Sequence, residues 1–305
     1  MKSLRILGLS ILFLVAAVYS YAAEITTCTL SSVNLTSITS VLAPGDGNLL
    51  STNYDATSCV GVFLGENDDS GSLSNPDPNI GQYEDGLLNG ESFKGIALFD
   101  GLEFINEEDL QALDGDGIFD DPGWIHLANI DPAANKTTYS TSGPNPTGDP
   151  NLILDIGDLL SIDIDCNNSS DCTSGNWTLT TKLDVIEQAQ ALLGAATFDH
   201  LAFSFKAGNA FAVYDFNFKT IFANEHTINP GSQLNFLTPY SLSGGFSMLD
   251  FLNKKDDMQG ISHINIWARD PSDTTTTVIP EPSTLILLGA GLAGLGYYSR
   301  RRKKD

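Results

Sequence analysis

The chain has 305 residues, with 38 Asp and Glu against 15 Lys and Arg and a net charge of −23 at pH 7. Seven of those fifteen cations stand at the two ends, Lys2, Arg5 and Arg300 to Lys304, so the middle is more acidic still. Such a surface repels nucleic acid and anionic lipid headgroups, which excludes both as partners of the folded part, and it suits solubility and divalent cations.

The N-terminus reads MKSLRILGLSILFLVAAVYSYAAE. Lys2 and Arg5 precede an apolar run from Ile6 to Val18, and the small residues Ser20, Ala22 and Ala23 follow. That layout predicts a signal peptide over 1–23; the run is too short for a comfortable bilayer span. Export brings an oxidising environment, and the chain has four cysteines, an even number. Three pairings are open; the sequential one, Cys28–Cys59 with Cys166–Cys172, is the expected one, because CNNSSDC closes a small polar loop.

Over 24–269 most runs carry β-formers between Gly, Pro, Asn and Asp turns. Gly61–Leu64 is a short strand. SFKGIALFDGLEFI, 92–105, predicts a hairpin turning at Asp100-Gly101. NLILDIGDLLSIDID, 151–165, follows the loop TSGPNPTGDP. NWTLTTKL, 176–183, places Trp177, Leu179 and Thr181 on one face. DHLAFSFKAGNAFAVYDFNF, 199–218, is the clearest hairpin, with Leu201, Phe203 and Phe205 pointing one way. GISHINIWARD, 260–270, sets Ile261, His263, Asn265 and Trp267 against Ser262, Ile264, Ile266 and Ala268. Helical spacing occurs in LDVIEQAQALLG, 183–194, and a turn or two is expected within Ser247–Asn253. These elements predict an all-β fold: an antiparallel β-sandwich, jelly-roll-like, with one or two short helices. DPSDTTTTVI, 270–279, is a Thr-rich spacer.

The strongest metal candidate is ALDGDGIFDDPGW, 112–124, where Asp114, Asp116, Asp120 and Asp121 surround flexible glycines. Ca²⁺ takes six to eight hard oxygens. The segment resembles the calcium loops of thrombospondin-type and dockerin-type modules, but Ala112 and Gly123 fall where such a loop needs ligands. The acidic run GENDDSGS, 65–72, follows no spacing rule. His126, His200, His226 and His263 form no HxH or HExxH pair, so zinc is not expected. There is no GxSxG elbow, P-loop or GxGxxG before a helix, and no enzymatic activity is expected. Trp124, Trp177, Tyr214 and Trp267 offer a sugar-stacking face, although aromatics on sandwich strands are more often core.

The chain ends VIPEPSTLILLGAGLAGLGYYSRRRKKD. Pro280-Glu281-Pro282 stays extended, because proline disfavours helix at and before itself. Thr284 to Tyr298 is an apolar, Gly-rich stretch, predicted to be a transmembrane helix; as a helix it spans roughly 22 Å, short of a ~30 Å hydrocarbon core. Arg300 to Lys304 hold the end in the cytoplasm. The order Pro-Glu-Pro, short apolar helix, basic cluster over 280–304 resembles the PEP-CTERM sorting signal. That resemblance implies recognition by an exosortase, a membrane protease or transpeptidase of Gram-negative bacteria that export polysaccharide, followed by removal of the tail. GVFLGEND, SGNWTL, LAFSFKAGNAFAVYDF and GISHINIW are similar to ectodomains that carry this tag, which implies a non-catalytic surface role. The expectation is therefore an exported cell-surface or matrix protein, structural or adhesive, with extracellular polysaccharide as a partner. The alternatives are a Ca²⁺-dependent carbohydrate-binding module and a secreted glycoside hydrolase.

Overall fold

The computed structural model describes residues 26–64, 79–93, 96–144, 153–168, 171–193 and 197–269. The expected signal peptide (1–23), the acidic run 65–72, the spacer 270–279 and the sorting segment 280–304 lie outside the described residues. Contacts divide the chain into two units, Met1–Asp270 and Pro271–Asp305. The first holds both disulfides and the hydrophobic core.

Eleven strands build two antiparallel sheets. In chain order they are β1 (Val33–Ser40), β2 (Tyr54–Asp55), β3 (Ser58–Leu64), β4 (Trp124–Asp131), β5 (Lys136–Tyr139), β6 (Leu160–Cys166), β7 (Ser174–Thr181), β8 (His200–Ala207), β9 (Ala210–Asn217), β10 (Tyr240–Ser247) and β11 (Ile261–Arg269). The first sheet runs β6-β7-β10-β1-β2 and the second β3-β9-β8-β11-β4-β5. Three helices join them: α1 (Ile156–Leu159), α2 (Val185–Leu193) and α3 (Phe218–Ile228). The fold is thus mainly β, as the strand pattern predicts. Among the described residues no helix is long and apolar enough to cross a membrane. The transmembrane helix expected at 284–298 lies outside the described residues.

Alternation explains the layering. Leu201, Phe203 and Phe205 of β8 share one core with Val33, Leu35, Trp177, Leu179 and Phe246 of the first sheet. Trp177 lies at its centre, 4.9 Å from Phe203 and 6.0 Å from Phe216 between ring centroids. Its Nε1 donates to the Asn34 carbonyl at 3.1 Å, so the polar end is satisfied. Gly244 is needed beside it, since a Cβ there would collide with that carbonyl and with the indole. The opposite face of the second sheet is also covered. Phe63, Trp124, Ala202, Phe211, Val213 and Trp267 pack under Leu87, Leu88, Leu98, Phe99 and Ile105 of the 79–123 excursion. That double burial is why β8 is buried at every position.

Several local expectations are corrected. The turn at Asp100-Gly101 forms, but not as a hairpin: Asp100 Oδ1 accepts the Leu102 amide, Gly101 has φ +91°, and Leu98 and Phe99 bury against the second sheet. The hairpin is instead Ser92–Phe93 with Ile96–Ala97. The 151–165 run divides into a strand Ile153–Asp155, α1, and β6, because the Asp155 carboxylate caps the Gly157 amide at 3.0 Å. No helix forms at 247–253. The missed helix is α3: Asn217 ends β9 and caps the Thr220 amide, and Phe218, Ile221, Phe222 and Glu225 then turn inward at helical spacing. In β11 a bulge opposite Lys206/Ala207 turns Ile261 to the same core as Ile264 and Ile266.

Cys28 is bonded to Cys59 and Cys166 to Cys172. The first bond fastens the N-terminal segment along edge strand β3, where Cys28 N donates to Gly61 O and Val62 N to Thr26 O. The second closes the turn between β6 and β7. At the other edges β2 has two residues and β5 four, while β6 turns Ser161, Asp163 and Asp165 outward.

Candidate functional site

At one end of the sandwich the two sheets part and α1, α2 and α3 roof the gap, leaving a cavity of about 140 Å³. Leu179 and Leu242 line it from the first sheet, Leu127 and Leu201 from the second, Ala189 and Phe222 from the roof. Among the described residues that line it, none is Asp, Glu, Lys or Arg. His200 reaches the wall at the start of β8, but its ring turns to the outer face of the second sheet, where Nδ1 meets both Asp215 carboxylate oxygens at 3.0 Å and the ring edge faces Trp124. Burial pushes the Asp215 carboxyl up, against the pull of His200 and Thr57.

The outer face of the second sheet carries a buried polar layer. Asn89 pairs with both backbone groups of Trp124, and Asn79 with both of His126, so two side-chain amides replace a strand along the half of β4 that β5 does not reach. His126 is fully buried; Nδ1 contacts Ser140 Oγ and Nε2 contacts Asn265 Oδ1 at 3.1 Å. Burial lowers its pKa to about 4, so the ring is neutral at pH 7. Arg269 is also buried: Nε donates to Pro122 O at 2.9 Å, Nη2 to Asp109 O, and Nη1 to both Asp199 carboxylate oxygens. These side chains satisfy one another and the neighbouring backbone groups.

The acidic loop is built by turns. Asp114 Oδ1 accepts the Asp116 amide and Asp116 Oδ1 the Ile118 amide, with Gly115 and Gly117 at positive φ. Asp121 is buried, and its carboxylate accepts the Tyr83, Leu113 and Asp114 amides. Asp120 is exposed. Among the described residues no group of three or more His, Cys, Asp or Glu is arranged to hold a metal ion. Asp121 therefore works as a loop staple. Asp121→Ala is expected to cost about 2 kcal/mol in urea unfolding, because three amides lose their acceptor; an unchanged midpoint would refute that role. Trp124, Trp177, Tyr214 and Trp267 are all buried, so none forms an exposed stacking surface. The cavity itself had no local signature, since its wall comes from three helices and six strands far apart in the chain.

The remaining site is the tail, Pro280, Glu281 and Pro282 included, outside the described residues. Comparison with known families decides its nature. Residues 278–303 match the family model of the PEP-CTERM protein-sorting motif. The match covers the C-terminus alone and leaves the sandwich unassigned. No curated protein and no solved structure matches the chain. A PEP-CTERM motif marks its carrier as an exosortase-targeted protein bound for the cell surface or beyond it.

Proposed function

We propose that the chain is a non-catalytic component of the cell surface or extracellular matrix of a polysaccharide-producing Gram-negative bacterium, with a structural or adhesive role. The observation that carries this reading is the PEP-CTERM match at 278–303. The two disulfides and the acid-rich composition agree with life outside the cytoplasm. In this reading an exosortase recognises Pro280-Glu281-Pro282 while 284–298 holds the chain transiently in the membrane and Arg300–Lys304 keep its end inside. Extracellular polysaccharide is the proposed neighbour of the released domain.

The test is the mass and C-terminal peptide of the native protein from membranes and from culture fluid. The expected C-terminus lies near Ile279 or Pro280. Glu281→Ala is expected to leave the chain uncut, with Asp305 intact in membranes and the extracellular form lost. An intact Asp305 in the unaltered chain, found only in membranes, would make the tail a permanent anchor and overturn the sorting reading.

A further inference from the structure

We propose that the helix-roofed cavity is a binding site for a neutral, single-chain alkyl amphiphile. The wall sets the chemistry. Leucines, phenylalanines and Ala189 supply an apolar lining without a charged side chain, and a buried ionised ligand would find no counter-charge. The volume sets the size. A cavity of roughly 150 Å³ lined by apolar side chains stays dry and accepts a benzene-sized guest, so about six carbons fit in 140 Å³ here.

Two exposed leucines stand beside wall residues in the chain. Leu183 is 62 % exposed and lies just before the wall residues Val185 and Ile186. Leu237 is 65 % exposed and lies between the wall residues Phe236 and Thr238. A chain longer than the cavity emerges into water with its neutral head. A two-chain lipid does not fit the volume. From the nine-residue helix α2, Ala189 is a small residue on the cavity wall.

The test uses the chain ending at Asp270, which contains both cores and both disulfides. Displacement of the benzene-sized probe fluorobenzene, followed by its 19F NMR line, is measured with the primary alcohols from butanol to decanol. Affinity is expected to rise about fourfold per methylene up to roughly six carbons, then to flatten. Ala189→Leu is expected to weaken binding at least tenfold, and Leu179→Ala to move the plateau two or three carbons longer. Either variant suffices if the other does not unfold cooperatively. Dihexanoylphosphatidylcholine below its micelle concentration is expected to leave the fluorobenzene bound. Absence of saturable displacement, an affinity that climbs with chain length without a plateau, a plateau that neither variant moves, or equal displacement by the two-chain lipid would each overturn the proposal. None of these outcomes bears on cleavage of the tail, which is read from the C-terminal peptide alone.

Discussion

Asp199→Ala is expected to lower the unfolding free energy of the sandwich by about 3–5 kcal/mol. Asp199 and Arg269 are each about 1 % exposed, and Nη1 of Arg269 lies 3.2 and 3.3 Å from the two carboxylate oxygens. Alanine leaves a guanidinium in the interior with two carbonyls, Pro122 O and Asp109 O, and only the Asp109 carboxylate, with which it has no hydrogen bond, as counter-charge. Those carbonyls belong to the excursion that covers the second sheet, so Arg269 is a pin through the cover into the last strand. Lys219, half exposed, sits 2.7 Å from the same carboxylate and loses its partner as well. The measurement is a urea unfolding curve. Asp199→Leu combined with Arg269→Met is expected to be less destabilised than Asp199→Ala alone, because replacing both charges removes the unpaired one. A loss under 1 kcal/mol in Asp199→Ala would show that the pair is solvated and that the pin is not electrostatic.

The second large effect is pH-dependent. Between about pH 4 and 6.5 the unfolded chain binds a proton on His126 that the folded chain refuses. Acidification through that window therefore favours unfolding. The contribution is fully retained above pH 6.5 and falls by about 3 kcal/mol once pH 4 is reached. Glu103 acts the other way. Burial raises its carboxyl to about 7, so the folded state keeps a proton that the unfolded state releases between about 4.5 and 7. Its side chain is only partly covered, which weakens that opposition. His126→Gln retains Glu103 and every other carboxylate. The difference in stability between the two chains, measured at pH 7.5 and at pH 4.5, isolates the imidazole. The original chain should lose about 2–3 kcal/mol more than the variant on acidification; parallel losses would mean that the ring is reached by water.

Alternation made much of the sandwich legible. Leu201, Phe203 and Phe205 announced the core face of β8, and Trp177 and Leu179 that of β7, because strand side chains alternate strictly. The disulfide pairing followed the order of the cysteines. What failed to show was set by contacts distant in sequence. α3 follows an aromatic strand without a break, and the aromatic run masked both the Asn217 cap and the inward spacing of Ile221 and Phe222. β4 is buried at all but two positions, since Asn79 and Asn89 cover its edge and the excursion covers its face, so it shows no alternation. The acidic loop was legible as a turn. Its one buried carboxylate, Asp121, is distinguished only by amides from residue 83 and from its own loop. The cavity was invisible, because its walls come from stretches as far apart as Leu127 and Ala268, and no local pattern shows that they meet.

The sheet edges have a consequence for the folded domain at high concentration. An open strand edge invites a second chain to dock and seeds cross-β fibres. Here the segment bonded to Cys59 occupies β3, two asparagine amides plug half of β4, and β2 and β5 offer too few residues to template a partner. On β6 an incoming copy would bring its own Asp163 and Asp165 against the same pair, placing like charges across the new seam. The described sheet edges therefore disfavour strand-to-strand joining of one folded domain to another.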